Sequence, residues 1–379
     1  SLHTPLLKAA MRWRPATLLI AFILLISTAY PLSKIGSEFM PPLDEGDILY
    51  MPSTFPGISI TKAKELLQQT DKILKTFPEV QHVFGKVGRA DTATDPAPLS
   101  MTETTIRLKP KAQWPDPKKT TQQLMSQMDK AIHFPGLANT WTMPIKTRID
   151  MLSTGIKTPV GIKVSGPNLN ELQRLSKAIE HVMKTLPDTL SAFGDRAVGG
   201  YYLDFDINRE EAARYGLTTG DVQDVIQSAI GGMNITETVE GLERYPVNLR
   251  YPRELRDNME SLKRVLIPTP TGAQIPLALV AKLQLRRGPP AIKSENSRPN
   301  AWIYVDIKTS DIGGYVTQAK KALTEQLEIP KGYTINWSGQ FEYMQRAAQR
   351  LQLVIPLTLL LIFVLLYFTF RNLVEPTIV

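Results

Sequence analysis

The sequence predicts an α+β membrane protein in which two transmembrane helices flank one large polar loop built of split βαβ (ferredoxin-like) units. Three observations carry that prediction. Residues 15–33 (PATLLIAFILLISTAYPLS) and 351–370 (LQLVIPLTLLLIFVLLYFTF) hold no charge, and each is close to the ~20 residues an α-helix needs to cross a bilayer core. Neither run keeps the polar face of a helix lying on a soluble core. Between them, stretches of period two alternate with stretches of helical spacing, the pattern of packed α/β layers.

Taken in order, the first run follows Lys8, Arg12 and Arg14, and Arg371 follows the second. That bias places both outer ends in the cytoplasm and residues 34–350 together on the other side. Lys34 and Arg350 also flank the runs, so the bias is modest. The first run is too long for the core of a cleavable leader, and no small-residue cleavage site follows it. The chain opens at Ser1 without an initiator Met and stops soon after the second run, so it is expected to be a piece of a longer polypeptide.

Inside the loop, residues 47–51 form a short apolar run before a turn-rich MPSTFPG. Residues 60–77 then carry helical spacing, with Ala63, Leu66, Leu67, Ile73 and Leu74 on one side. Residues 80–87 and 102–108 alternate as strands, and 120–132 reads as a second helix. The β-α-β order recurs as strand 160–164, helix 169–186 and strand 201–207. It recurs again as strand 302–307, helix 315–327 and strand 334–338. Residues 210–290 break the pattern with more turns and short strands, as an inserted subdomain does.

Composition excludes several functions. Lys+Arg 44 against Asp+Glu 36 gives a net charge of +8. The basic residues are scattered among acids, without zinc-finger spacing, an RNP motif or a Gly-rich phosphate loop, so no nucleic-acid partner is expected. The absence of cysteine rules out a disulfide framework, a thiolate zinc site, an iron–sulfur cluster and a cysteine nucleophile. No G-x-S-x-G or H-E-x-x-H motif is present, and no enzyme activity is expected. His3, His82, His133 and His181 are isolated and lack ligand spacing.

Methionine is the residue type left with chemistry to offer. Met51, Met101 and Met151 lie in DEGDILYMPST, DPAPLSMTETT and KTRIDMLSTG, each near a carboxylate. A thioether is a soft neutral ligand, and without thiols it is the natural donor for Cu(I) or Ag(I). Such a set holds an ion loosely enough to release it, which suits transport. Spacing alone favours the alternative, methionine filling gaps in strand cores. Met125, Met128 and Met183 belong to packing on helices, and Met143, Met233 and Met259 are open to either reading.

The stretches EFMPPLDEGDILYMPSTFPGIS, KVGRADTATDPAPLSMTETTIRLKP, RIDMLSTGIKTPVGIKVSG, INREEAARYGLT, GLERYPVNLRYP and SGQFEYMQRA cover much of the chain. They resemble the heavy-metal branch of the resistance-nodulation-division (RND) efflux pumps, and within it the copper/silver exporters. The resemblance implies a periplasmic loop between the seventh and eighth of twelve transmembrane helices. It implies an N-terminal segment and helix at 1–34, a porter subdomain at 35–157 and a second porter subdomain at 158–208 and 292–345. A docking insertion would occupy 209–291, and a helix with a C-terminal stub 346–379.

By the same resemblance, Met51, Met101 and Met151 form a three-methionine site for Cu(I) or Ag(I), which is cargo; no cofactor is implied. Glu45, Asp95, Glu103, Arg148 and Lys157 line the cleft around it, the acids attracting the cation and the two bases balancing them. A zinc, cobalt or cadmium pump of the same family would use carboxylates and histidine there, and no His lies near the three methionines. The copper pumps carry a further methionine two places after the Gly-Gly of SAIGGMNITETVEG. Here Met233 follows the pair directly and Asn234 holds that place, so no relay site is assigned. The resemblance further implies an inner-membrane homotrimer driven by protons and contacting lipid. A periplasmic membrane-fusion adaptor and an outer-membrane channel would be its partners, and its proton-relay residues lie outside this chain. Topology alone also allows a two-span sensor receptor with an extracytoplasmic domain.

Overall fold

An apolar run surrounded by lipid has no partner for its peptide groups except its own backbone, so it folds as a helix. The computed structural model, which describes residues 11–34, 44–88 and 97–379, has α1 over Arg14–Ser27 with Pro15 in its first turn. After Thr28 it continues as α2 over Ala29–Lys34. Residues Arg14–Pro31 and the late helix Gln340–Phe370 are both long and apolar enough to cross a membrane.

The chain divides into two units, Ser1–Val198 with Ala291–Val379, and Gly199–Pro290. The first begins with β1 (Asp47–Tyr50), α3 (Ile60–Lys75), β2 (Val80–Val87), β3 (Thr102–Leu108), α4 (Thr121–Ala131) and β4 (Trp141–Thr142). Helix α3 starts where the Ser59 side chain accepts from the Lys62 N–H, and it buries Ala63, Thr70 and Leu74. It ends two residues short of the spacing-based expectation, because Thr76 caps it and Pro78 disfavours helix in the residue before it. Thr120 stands outside α4 as half of a capping box with Gln123. Strands and helices enclose Ile48, Tyr50, Leu74, Val80, Ile106, Leu124, Met125 and Met128.

Next come α5 (Pro144–Thr154), β5 (Val160–Ser165), α6 (Leu169–Thr185) and β6 (Thr189–Gly194). The chain then traverses the second unit, which holds β7 (Gly200–Ile207), α7 (Arg209–Arg214), α8 (Thr219–Val225), the ribbon β8 (Met233–Glu240) and β9 (Glu243–Leu249), α9 (Met259–Lys263), β10 (Leu266–Pro268), β11 (Gln274–Pro276) and β12 (Ala281–Gly288). Its core gathers Ala212, Val222, Leu262, Ile267, Leu277 and Val280. Both strands of the ribbon are exposed along their whole length.

Back in the first unit, β13 (Lys293–Glu295), β14 (Arg298–Ile307), α10 (Ile312–Gln326) and β15 (Thr334–Gly339) lead into α11 (Gln340–Phe370) and the short α12 (Val374–Ile378). At 1.5 Å per residue α11 is about 46 Å long, more than the ~30 Å of a bilayer core, so its amphipathic first third extends beyond the apolar run. The two sheets of this unit are antiparallel, with orders β2-β3-β1-β4 and β6-β14-β5-β15; β13 pairs with the far end of β14. Each therefore runs second–third–first–fourth in its own strands. Beneath the second sheet lie Ile162, Val164, Leu172, Leu175, Ile179, Ile303, Val305 and Val316, each full burial stabilising by about 1.5–3 kcal/mol.

Sequence spacing assigned 201–207 as the strand following α6, but that strand pairs with β12 along its whole length. The strand that follows α6 in its sheet is β6, which pairs with β14. Its inward residues are Ala192 and Gly194, too small to register as an apolar alternation. They are small because α6 lies against them: a Cβ on Gly194 would stand 2.3 Å from Ser176 Oγ.

Candidate metal site

Alternation decides which side of the first sheet the methionines occupy. Ile48 and Tyr50 of β1 and Ile106 and Leu108 of β3 face the helices. Met51, one residue past Tyr50, therefore takes the opposite face, as do Met101 and Glu103 beside the inward Thr102 and Thr104. The β1–β3 register pairs Leu49 with Thr105 and Tyr50 with Thr104, and it continues to the bridge between Ser53 and Met101. Met51 thus stands opposite Glu103 and diagonal to Met101 on one face, a separation within reach of long side chains. Met51 is 1% exposed, and Met101 is half-buried.

Met151 arrives on α5, a helix that spacing did not reveal. Its buried residues are Thr147, Asp150 and Thr154, while Ile145, Ile149 and Leu152 point outward. The usual apolar-inside pattern is reversed, so periodicity gives no signal. Two devices hold the helix. Pro144 opens it without a local side-chain cap, and Glu45 supplies one from a distance: its carboxylate accepts from Ile145 N at 2.7 Å and Lys146 N at 2.8 Å. At the other end Gly155 takes φ +76° and returns its N–H to Met151 O at 2.9 Å. The helix packs against β1 and β15. Met143 sits at its head, its sulfur accepting from Glu45 N at 3.5 Å.

The charged residues take different positions. Glu45 is the remote cap of α5. Glu103 pairs with Lys86 at 3.2 Å. Arg148 is exposed on α5. Lys157 is buried, its Nζ donating to Met51 O and Ser53 Oγ, both at 2.8 Å. Asp95 lies outside the described residues, as does His3. His82, His133 and His181 are exposed. Met125, Met128 and Met183 are in the cores. Met233 is on the exposed ribbon, and Met259 packs on the core of the second unit.

Behind Lys157 is a group of residues with no motif to announce them. Lys293 Nζ donates to Asp195 Oδ2 at 2.7 Å and to Tyr304 OH at 3.1 Å, and lies 4.2 Å from the Trp302 ring. Burial and the nearby Lys293 charge push Lys157 down to about 7, with Asp195 opposing them. Burial would also depress Lys293, but Tyr304 and Asp195 hold it above the usual lysine range. Burial raises Tyr304 to about 12. These residues sit more than 100 positions from Met51, so no spacing rule links them to it.

Chemically, the arrangement offers thioethers beside a carboxylate on one sheet face, with a helix bearing a third thioether tied to the same strand. Among the described residues, no three His, Asp or Glu side chains gather as a metal-holding group.

Residues 1–379 match the AcrB/AcrD/AcrF family. The chain is 48% identical over 377 residues to the cation efflux system protein CusA of Escherichia coli (strain K12), covering 100% of this chain and 36% of that protein. It is 34% identical over 384 residues to the cobalt-zinc-cadmium resistance protein CzcA of Cupriavidus metallidurans, again covering 100% of this chain and 36% of the relative. A crystal structure of a heavy metal efflux pump superposes with a TM-score of 0.87 at 29% identity, over 96% of this chain and 38% of that one. The chain thus spans little more than a third of the length of these relatives.

Proposed function

The chain belongs to the AcrB/AcrD/AcrF family, and from that premise we propose that it is part of a proton-driven heavy-metal efflux transporter whose cargo is Cu(I) or Ag(I). Met51, Met101 and Met151 hold the ion, and Glu45, Asp95, Glu103, Arg148 and Lys157 surround it. The observation that carries this reading is the placement of Met51 diagonal to Met101 on one sheet face, with Met151's helix tied to the same strand. Neutral sulfur ligands exchange a monovalent soft ion without a charge penalty on release, which a transported ion requires.

A divalent-cation pump is the second reading, favoured by the 34% identity to the cobalt-zinc-cadmium protein. The higher identity to CusA and the thioether set support the first. Family membership sets aside the two-span sensor receptor. In the same reading, α1–α2 and α11 lie in a bacterial inner membrane and residues 34–350 face the periplasm. Residues 35–157 and 158–208 with 292–345 are the two porter subdomains, and 209–291 is the docking insertion. Three copies assemble, with a membrane-fusion adaptor and an outer-membrane channel as partners.

The test is Ag(I) titration of the full chain in detergent micelles, comparing wild type with Met101→Ala and Met151→Ala. One-to-one binding lost on either substitution, with the fold retained, supports the site. Binding that ignores both returns these methionines to packing.

A further inference from the structure

We infer that Lys157 is a positioning residue, a clamp that fixes the strand carrying Met51 against the end of the helix carrying Met151. The inference rests on the three-methionine reading and gives Lys157 a different task from lining the cleft with charge. The residue is 5% exposed, and two of its side-chain donors go to Met51 O and Ser53 Oγ, each at 2.8 Å. The amine lies 5.5 Å from the Tyr304 ring centre on a further side.

The linkage from Met151 to Lys157 has no slack. Gly155 N–H is bonded to Met151 O at 2.9 Å. Gly155 also lies so close to Trp302 that a Cβ would stand 2.5 Å from the indole. Ile156 is fully buried and fills the space a Cβ on Gly161 would take. Each of three consecutive residues is therefore locked: Gly155 on β14, Ile156 on β5, and Lys157 on the continuation of β1. A displacement of α5 relative to the first sheet pulls against the Lys157 bonds. Lysine retains at least two N–H donors whether or not it is protonated, so the clamp does not depend on its charge. Methionine side chains are flexible, and a site that needs three sulfurs at once depends on the backbone spacing between them.

The experiment is Ag(I) titration of the full chain in micelles for wild type, Ser53→Ala, Lys157→Gln, Lys157→Leu and Met51→Ala. Ile179→Val, in the core under the second sheet, serves as the control for lost stability alone. The clamp predicts that Lys157→Leu, which brings no new sulfur to the site, weakens Ag(I) binding about tenfold or more, as expected for loss of two buried hydrogen bonds. Ser53→Ala, which leaves the charge in place, should weaken it by a smaller factor. Lys157→Gln, whose amide keeps two N–H donors, should recover part of the loss. Ile179→Val should lower the unfolding temperature and leave the affinity as it was.

Wild-type affinity in both Ser53→Ala and Lys157→Leu overturns the clamp. So does a Lys157→Gln variant as weak as Lys157→Leu together with an unaffected Ser53→Ala, since charge alone would then matter. If Lys157→Leu fails to fold, Ser53→Ala decides. If wild type does not bind, or Met51→Ala binds as wild type does, the three-methionine reading fails first and the clamp falls with it.

Discussion

The carboxylate of Glu45 accepts the backbone N–H of Lys146 at 2.8 Å across 101 residues of chain. Together with Ile145 N at 2.7 Å, this bond gives α5 the N-terminal cap that Met143 lacks. An anion there also meets the positive end of the helix. Glu45→Ala is expected to destabilise the protein by about 1–2 kcal/mol. Amide hydrogen exchange at Ile145 and Lys146 is expected to accelerate. Unchanged protection of those two amides would show that the cap does not form.

Gly155 ends α5 with a left-handed φ of +76° and a Cβ site 2.5 Å from the Trp302 ring. Gly155→Ala therefore meets both backbone strain and a clash, together about 2–4 kcal/mol. Urea unfolding of Gly155→Ala alone and with Trp302→Leu separates the two. The smaller side chain should recover the clash and leave the strain.

Asp306 on β14 is raised to about 6, chiefly by burial, with the Ile307 N–H opposing and Asp129 adding to the rise. Its native value lies above its ordinary one, so between about pH 4 and 6 the folded state holds the proton more tightly. Stability from this group is greatest below that window and is lost as pH rises through it, by about 3 kcal/mol at most. Asp306→Asn should match wild type near pH 4 and exceed it near pH 7. Parallel stability curves for the two proteins across that range would contradict this.

Met128 is fully buried under the first sheet, whereas Met101 is half-buried on the opposite face. Met128→Ala is expected to cost about 2–5 kcal/mol and leave Ag(I) affinity unchanged. Met101→Ala should do the reverse, with a small loss of stability and a large loss of binding. Chemical denaturation and Ag(I) titration on the same two variants check both halves.

What could be read from the linear chain follows from how each signal arises. The spans were legible because lipid demands unbroken apolar length. Helices α3, α4, α6 and α10 were legible because their caps and apolar stripes lie within a few residues of one another. Other elements were hidden, α5 and β6 among them. Helix α5 turns Thr147 and Asp150 inward and Ile145 and Leu152 outward, and β6 packs through Ala192 and Gly194. In both, the inward residues are chosen by a neighbouring element rather than by burial of bulk, so no periodicity reports them.

The linear chain was enough for the two apolar helices, the alternating α/β order of the loop, the absence of thiol chemistry and the three methionine contexts. All of these depend on residue type and short-range spacing. Packing was needed to set Met51 diagonal to Met101, to bring Glu45 to the head of the helix of Met151, and to bond Lys157 to the carbonyl of Met51. Those relationships span 50 to more than 100 residues. Strand register and the burial of a polar side chain create them, and neither exists until distant segments pack together.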